Sequence, residues 1–316
     1  MNIRLLQNCI EDCHLAEIVP GFEPLDFRHN PRPGLREFQI FDELYAADVH
    51  RTADIVGAVS SRFHAKGLLN GHDVRRWMDE SPGHDIYVVN PRPQNVYLCF
   101  NNFDRGQITH QDSQLQQRYQ RVLDLAGVAL DIVNVGRQHN QNYGMCSYWF
   151  GSARFWQRFM EELVLPVIRL SRSQLGEDLY AFLYEPTPYW GVSEHRAGAL
   201  PHLLERATSI FVDTRFRTSA IHYRHTRQQI LDCCLYPFER DLVETFGDQV
   251  DDWDRASHYD QEAMAYFRHA NLHAMNGRQT YMTRYPLDFG HGDPRPHFPW
   301  FHKDNAPVDD RVKAAA

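Results

Sequence analysis

Two polar residues, Asn90 and Arg92, directly follow a short apolar run and have side chains suited to binding a ligand. The run at residues 85–89 is rich in β-branched residues, which predicts a buried central strand. Prolines end this strand because they cannot donate a hydrogen bond to the sheet and restrict the residue before them. Ligands of open α/β sheets bind beyond the carboxyl ends of the strands, so Asn90 and Arg92 are candidate binding residues. The alternative is that Asn90 only caps a turn.

Two His-x-Asp pairs offer a different chemistry, the binding of non-haem iron. With a distant histidine, His110 and Asp112 or His291 and Asp293 would form the 2-His-1-carboxylate set of iron oxygenases. Two such pairs are close to chance among 18 histidines and 41 acidic residues. That enzyme class also uses a double-stranded β-helix, whereas this chain is rich in predicted helices. A non-haem iron oxygenase is therefore an alternative and not the main prediction.

Two charged runs could bind ions. Residues 251–254, Asp-Asp-Trp-Asp, could hold a divalent cation, or they could form a solvated turn in a loop. Residues 222–225, His-Tyr-Arg-His, could bind an anion at a strand end, or they could be a solvated polar end. Dinucleotide-binding, Walker and Gly-x-Ser-x-Gly motifs are absent from the sequence, which argues against dehydrogenases, P-loop enzymes and serine hydrolases.

The elements that would position these residues alternate along the chain. The predicted strands are residues 3–7, 54–60, 85–90, 130–133, 145–151 and 219–223. The predicted helices are residues 35–47, 71–80 after Asn70 as N-cap, 112–127, 153–170 after Ser152, 200–212, 227–246 and 260–273. Residues 20–34 and 185–191 are predicted loops, and the last ~40 residues are predicted to be irregular. This alternation indicates an α/β fold with an at least partly parallel sheet.

Composition limits the classes of partner. The 316 residues, 43% of them hydrophobic, suffice for one large domain or two modest ones. A net charge of −8 argues against a nucleic-acid partner. No apolar run approaches the ~20 residues of a membrane span, so we expect no membrane span and a cytoplasmic protein. The six cysteines fit neither a zinc ribbon nor a disulfide framework.

Four segments, taken in order and with their spacing, resemble bacterial glycosyltransferase-like proteins of capsule and surface-polysaccharide synthesis. The segments are residues 22–26 with 30–33 and 35–37, residues 60–63 through 85–91, residues 145–151 followed by 155–156, and residues 201–206. The resemblance covers roughly residues 1–225 and implies a GT-A-like nucleotide-sugar fold. Its core would be a mostly parallel central sheet flanked by helices. We expect a binding and catalytic core at 1–225, a helical and irregular extension packed on it at 226–302, and a polar tail at 303–316.

The resemblance also implies a donor site. Enzymes of this kind end a central strand with an Asp-x-Asp pair that holds a metal on the sugar diphosphate. Here Val89-Asn90-Pro91 stands in that place, so Mg²⁺ or Mn²⁺ is possible, but no ligand pair is found and no metal ligand is assigned. The predicted donor-binding residues at the strand ends are Gln7, Ser60, Arg62, Asn90 and Arg92. Of these, the two arginines could pair with phosphate in a bidentate manner.

The acceptor and catalytic residues follow from the same resemblance. Cys146, Tyr148 and Trp149 are predicted to line the acceptor side, with Trp149 as a stacking platform; the alternative is that they pack in the core. The predicted catalytic residues are Glu205, Arg206 and Asp85. Glu205 or Asp85 would be the base, and Arg206 would hold a phosphate or orient the carboxylate.

The predicted function is transfer of a sugar from a nucleotide-activated donor to a surface-polysaccharide or glycolipid acceptor. Because the Asp-x-Asp pair is missing, a non-catalytic domain that binds carbohydrate or a partner protein is the first alternative. The iron oxygenase is the second alternative.

Overall fold

The structure, a computed structural model, describes residues 1–189 and 192–284 together with Arg295, Phe298 and Trp300. Strands and helices alternate along most of this part of the chain. The strands are β1 (Ile3–Cys9), β2 (Glu23–Asp26), β3 (Ile55–Ser60), β4 (Ile86–Val88), β5 (Trp149–Gly151), β6 (Thr187–Tyr189), β7 (Val192–Ala197) and β8 (Ala220–His222).

Six of these strands form one sheet in the order β2-β1-β3-β5-β4-β8, and β6 and β7 form a separate antiparallel pair. β1 pairs in parallel with β2 and β3, and β4 pairs in parallel with β8. β5 runs antiparallel to both of its neighbours, β3 and β4. The predicted α/β fold with a mostly parallel central sheet is therefore confirmed.

Helices cover both faces of the sheet and make up most of the chain after β8. The helices are α1 (Asp12–Ala16), α2 (Glu37–Ala46), α3 (Phe63–Gly67), α4 (Gly71–Glu80), α5 (Asn95–Leu98), α6 (Asn102–His110), α7 (Leu115–Leu125), α8 (Ala153–Phe159), α9 (Leu165–Ile168), α10 (Arg172–Tyr184), α11 (Leu200–Arg215), α12 (Arg227–Cys233), α13 (Pro237–Ala256) and α14 (Gln261–Arg284). A π-helical turn, Met160–Val164, joins α8 to α9. Asn70 caps α4 as predicted, because its side chain accepts bonds from the amides of His72 and Asp73.

The central strands are buried on both faces, as their continuous apolar runs predict. Along β4, Ile86 belongs to one hydrophobic cluster and Tyr87 to the cluster on the opposite face. Gly57 allows β3 and β5 to approach closely, since a Cβ at this position would collide with the Trp149 carbonyl and the Phe150 ring. Helices therefore hold the strand ends in place from both sides of the sheet.

The prediction of a loop at residues 20–34 is wrong in part, because this stretch contains the edge strand β2. Pro24 lies in β2, and a proline is tolerated on an edge strand because its missing N–H removes no central pairing. Arg4 of β1 and Glu23 form an ion pair across the two strands at 3.0 Å. Proline density alone does not distinguish an edge strand from a loop.

The predicted strand at residues 130–133 is absent, because a helix side chain takes the place of a strand partner. The Gln120 amide donates to the Leu130 carbonyl at 2.9 Å, and its oxygen accepts from the Ile132 amide at 2.8 Å. The predicted strand at 145–151 is shortened to β5. Cys146 and Ser147 have φ of 62° and 52°, which a strand cannot accommodate.

The chain from residue 226 to 284 is more regular than predicted. The predicted helix at 227–246 is two helices, α12 and α13, and α13 begins at Pro237, a position where proline is tolerated. Residues 251–254 lie in α13 and not in a loop. Residues 303–316 and most of the final stretch lie outside the described residues. Among the helices that are described, none is both long and apolar enough to cross a membrane.

Candidate functional site

A cavity of about 400 Å³ opens at the edge of the sheet where β1 and β3 end. From β1 the chain adds β2 on one side of the sheet and then β3 on the other, so the direction of sheet growth reverses between β1 and β3. Open α/β sheets bind ligands at such a switch point, beyond the carboxyl ends of the strands. The volume lies within the roughly 300–1,000 Å³ of small-molecule sites. We call this cavity the switch-point pocket.

Three cationic side chains line the switch-point pocket: Arg36, Arg62 and Lys66. Burial acts to lower the pKa of Lys66, but the neighbouring Cys146 and Tyr148 outweigh it, and the pKa is raised. Lys66 is therefore charged at neutral pH, as the arginines always are. Guanidinium and ammonium groups both pair with phosphate or carboxylate, so the pocket suits an anionic ligand.

Two carboxylates face the same cavity. Glu37 is the first residue of α2, and Glu205 lies in the second turn of α11. Burial and, next, the charge of Glu205 raise the pKa of Glu37 to about 6. A carboxyl group that titrates near neutral pH can accept and release protons, which general acid–base catalysis requires.

Hydrogen bonds hold the rear wall of the pocket. Ser60 Oγ, at the end of β3, lies 2.6 Å from the hydroxyl of Tyr148. Lys66 Nζ donates to Cys146 Sγ at 3.4 Å and lies 5.4 Å from the ring centre of Tyr148. These contacts restrict the rotamers of side chains that a ligand would meet, which lowers the entropy lost on binding.

Strained backbone is concentrated around this cavity. Eight non-glycine residues of the described chain have positive φ, and four of them line the switch-point pocket. These four, with their φ values, are Asn30 (34°), Arg36 (48°), Cys146 (62°) and Ser147 (52°). Strained conformations of this kind persist where the surrounding structure enforces them, and they cluster at functional sites.

Two buried polar side chains of the pocket have unused hydrogen-bonding capacity. Asn8 and Ser147 are each 5% exposed. Asn8 Oδ1 and Ser147 Oγ have no hydrogen-bond partner within the described chain. Because buried polar groups are nearly always satisfied, such atoms favour a polar occupant of the pocket.

A second cavity, of about 10 Å³, is also lined by Glu205. It has about the volume of one water molecule, and its lining includes Trp149 and His222. Trp149 Nε1 and His222 Nδ1 have no partner within the described chain. Burial lowers the pKa of His222 to about 4, so this histidine is neutral at neutral pH. Glu205 thus borders both the switch-point pocket and a water-sized cavity.

The structure brings five of the predicted site residues together. Ser60, Arg62, Cys146, Tyr148 and Glu205 all line the switch-point pocket. They come from the ends of β3 and β5 and from α11, so residues far apart in sequence meet at one edge of the sheet.

The other three predicted donor-binding residues lie elsewhere. Gln7 is 1% exposed, and its side chain bonds the backbone of His14, Glu17 and Val19. Asn90 Oδ1 accepts from the Arg92 amide at 3.0 Å, which is the turn-capping alternative. Arg92 is half-buried and does not line the pocket.

Three predicted acceptor or catalytic residues have structural partners. The Trp149 indole is 2% exposed and packs against the rings of Phe41 and Trp156 at 5.0 and 4.8 Å. Arg206 is 3% exposed and donates to the carbonyls of Asn102 and His202. Asp85 precedes β4 at the opposite edge of the sheet.

At that opposite edge, the Asp85 carboxylate accepts from Ser152 Oγ and pairs with Arg154, both at 2.9 Å. These bonds secure the N-terminus of α8, since Ser152 is its N-cap.

Sequence reasoning missed several residues of the pocket, above all Lys66, Glu37, Arg36 and Asn8. Asn8 lies one residue after the predicted Gln7 in β1, and side chains alternate between the faces of a strand. Arg36-Glu37 lay within a segment that carried the resemblance, but no role was assigned to it. Lys66 lay between predicted elements and carried no prediction.

Within the described residues, one group of three side chains could supply the ligands of a metal ion. Atoms of Glu11, Cys13 and His14 lie within 4.8 Å of one another, and two of the three residues are exposed. His110 packs against His202 with ring centres 5.0 Å apart, while His291 and Asp293 lie outside the described residues.

In the acidic run of α13, residues 251–254, Asp254 pairs with Arg137 at 2.8 Å and Asp251 pairs with Arg227 at 2.6 Å. These two carboxylates, which were candidates for binding a divalent cation, are therefore paired with arginines.

No protein-family model matches the chain, and no curated protein or solved structure matches it either.

Proposed function

We propose that the protein is a glycosyltransferase that moves a sugar from a nucleoside diphosphate donor to a carbohydrate or glycolipid acceptor. The observation that carries the proposal is the switch-point pocket, in which three cations and two carboxylates face one cavity at the ends of β1 and β3. The resemblance to bacterial surface-polysaccharide glycosyltransferases favours the same function, and with it a GT-A-like version of the fold.

In this proposal the cations bind the donor diphosphate. Arg62 is the second residue after β3, and Lys66 lies one helical turn later in α3. Their positive charges would stabilise the charge that develops on the leaving diphosphate when the bond to the sugar breaks. The neutral Ser60 hydroxyl at the end of β3 would bind a phosphate oxygen or a sugar hydroxyl.

The carboxylates would act on the acceptor. Glu205 is the base that removes the proton from the attacking hydroxyl. Glu37 shares the negative charge of the site, since the two carboxyl groups influence each other. With its pKa raised to about 6, Glu37 holds its proton at pH values where a carboxyl group of ordinary pKa is already ionised.

The test is sugar transfer and donor hydrolysis measured with a panel of nucleoside diphosphate sugars. Glu205→Gln should lower the rate by roughly 10²-fold or more, as for loss of a general base, with the melting temperature nearly unchanged. Asp213→Asn is the matched control, because Asp213 lies on the same helix and pairs with the exposed Arg217. Its rate should equal that of the unchanged protein.

Each result has a defined meaning. An unchanged rate in Glu205→Gln removes Glu205 from the mechanism. Nucleotide binding without transfer or hydrolysis favours the non-catalytic binding domain. Absence of binding by every nucleotide, with the protein shown to be folded, refutes the proposed function.

A further inference from the structure

Two buried side chains of the switch-point pocket each have a polar atom without a hydrogen-bond partner in the described chain. Asn8 and Ser147 both line the pocket, and each is 5% exposed. The two atoms are Asn8 Oδ1 and Ser147 Oγ. Buried polar atoms are nearly always hydrogen-bonded, because an unbonded one costs stability. Both atoms therefore indicate that a ligand supplies the missing bonds.

Asn8 lies beside Ser60 at the carboxyl ends of β1 and β3. The two residues are register partners on neighbouring strands. Leu6 and Ala58, two residues earlier on the same strands, belong to one hydrophobic cluster. Because side chains alternate between the faces of a strand, Asn8 and Ser60 face the same side of the sheet.

Ser147 is connected to this pair through Tyr148. Ser60 Oγ lies 2.6 Å from the Tyr148 hydroxyl, and Ser147 directly precedes Tyr148 in the chain. Burial raises the pKa of Tyr148 above its ordinary value of 10, so its hydroxyl is uncharged at neutral pH. Asn8, Ser60, Ser147 and Tyr148 all line the pocket, and we call them the neutral polar group.

The cations of the pocket lie next to the neutral polar group. Arg62 is two residues beyond Ser60, and Lys66 lies one helical turn later in α3. Guanidinium and ammonium groups suit the anionic part of a ligand. The neutral polar group is then placed to bind an uncharged polar part of the same ligand.

The unpartnered atoms restrict the chemistry of that uncharged part. Asn8 Oδ1 can only accept a hydrogen bond, whereas Ser147 Oγ can donate or accept one. The oxygens of a fully ionised phosphate only accept, so phosphate alone would leave Asn8 Oδ1 unpaired. A hydroxyl group both donates and accepts, so neighbouring hydroxyl groups of one ligand satisfy both atoms. A phosphorylated sugar carries such hydroxyl groups close to its anionic group.

We propose that Asn8 and Ser147 are specificity-determining residues that bind hydroxyl groups of a sugar ring, so that the pocket selects a sugar phosphate over an anion alone. The inference rests on the proposed function, because it uses the same pocket and the same cations. It adds the two residues that recognise the sugar. Sites that bind a hydroxyl group discriminate strongly against an analogue without it, because their polar groups are then left unpaired.

The test compares the affinity of the full chain for hexose 1-phosphates and for cyclohexyl phosphate, measured by calorimetry. Cyclohexyl phosphate has a six-membered ring and the same anionic group, but its ring carries no hydroxyl groups. The hexose phosphates are those of glucose, galactose and mannose. The one that binds most tightly should bind more tightly than cyclohexyl phosphate by roughly tenfold or more.

Asn8→Leu is the main variant, because leucine has a similar shape and no polar side-chain atom. Affinity for the hexose phosphate should fall by roughly tenfold or more, while affinity for cyclohexyl phosphate stays the same. The melting temperature should not fall, because an unpaired buried oxygen is removed. Ser147→Ala is the second variant, with the same expected change in affinity. Arg62→Ala is the matched control and should weaken both ligands equally.

The outcomes separate this proposal from the proposed function. Cyclohexyl phosphate that binds as tightly as every hexose phosphate overturns the proposal, and so does the absence of binding by all the hexose phosphates. A preference for the hexose phosphate that persists in both Asn8→Leu and Ser147→Ala also overturns it. A preference that is lost in these variants, in a protein without sugar transfer, supports the proposal and refutes only the glycosyltransferase.

Discussion

The switch-point pocket and the buried pair of Arg278 with Glu239 both hold charged side chains, but they differ in what surrounds the charges. The pocket has three cations, two carboxylates and an open cavity of about 400 Å³. In the buried pair, Arg278 Nη2 lies 2.6 Å from Glu239 Oε1, and the two residues are 1% and 0% exposed. Water and ligands can screen charges in the pocket, whereas the charges of the buried pair depend on fixed partners. Substitutions in the pocket should therefore change ligand binding, and substitutions in the buried pair should change stability.

The largest effect should come from Glu239→Gln, which removes the buried carboxylate that pairs with Arg278. Breaking a buried pair on one side leaves an uncompensated charge, so the free energy of unfolding should fall by about 3–5 kcal/mol. Urea unfolding measures this change. Glu244→Gln is the control, because Glu244 forms an exposed pair with Arg240 on the same helix, and its loss should be under about 1 kcal/mol. Equal losses in the two variants would contradict the contrast between the regions.

A substitution in the switch-point pocket should weaken ligand binding and leave stability nearly unchanged. Arg62→Ala should weaken the binding of a nucleoside diphosphate at least tenfold, or about 1.4 kcal/mol, because one charge-assisted contact to phosphate is lost. Calorimetry measures the affinity, and the melting temperature should stay nearly constant. Arg51→Ala, at a largely exposed arginine far from the pocket, is the matched control and should bind as the unchanged protein does. Unaltered affinity in Arg62→Ala would remove Arg62 from the site.

Glu37→Gln should change how stability depends on pH. The pKa of Glu37 is raised from 4.5 to about 6 in the folded protein, so the folded state holds this proton more tightly than the unfolded state. The stabilising contribution of the protonated group is present below pH 4.5 and is lost as the pH rises through about 6. At pH 7.5 the variant should therefore be more stable than the unchanged protein by roughly 1 kcal/mol, less than the full shift implies because the pocket admits solvent.

Unfolding measured at several pH values checks this. The two proteins should converge in stability toward pH 4.5, and a constant difference at all pH values would show that Glu37 does not titrate in this range.

The smallest effect should come from removal of divalent metal. In the proposed glycosyltransferase, Asn90 would take the place of an Asp-x-Asp pair, and its amide oxygen already accepts a bond from the Arg92 amide. Arg62 and Lys66 supply positive charge at the pocket instead, so a chelator should change nucleotide affinity by less than about twofold, a few tenths of a kcal/mol. Loss of binding in the chelator would indicate that Glu37 and Glu205 hold a metal between them.

The elements near the pocket could be predicted because their signals are local. The apolar run of β4, the Asn70 cap of α4 and the period of α11 are all visible in short windows of sequence. The loop at residues 130–133 could not be predicted, because its backbone is satisfied by Gln120 from a preceding helix. Local pattern carries no information on such a partner.

The site residues also differ in whether local sequence or tertiary packing determines their position. Ser60 and Arg62, at and just after the end of β3, were predicted from the resemblance together with their position at a strand end. Trp149 was predicted to stack against a ligand, but it packs into the aromatic core, because which side of β5 faces the core depends on neighbouring elements. Glu37 and Lys66 reach the pocket only through tertiary packing. Arg92 lies beside the pocket and is close enough to Arg278 for that charge to lower its pKa. The two arginines are too far apart in sequence for a motif to link them.

The most direct test of the central claim is a crystal structure with a bound nucleoside diphosphate. The account predicts that the diphosphate lies at the carboxyl ends of β1 and β3, within hydrogen-bonding distance of Arg62 or Lys66, with Glu205 facing the space that the sugar and acceptor would fill. A diphosphate bound elsewhere on the protein, with the switch-point pocket lacking nucleotide, would contradict that assignment.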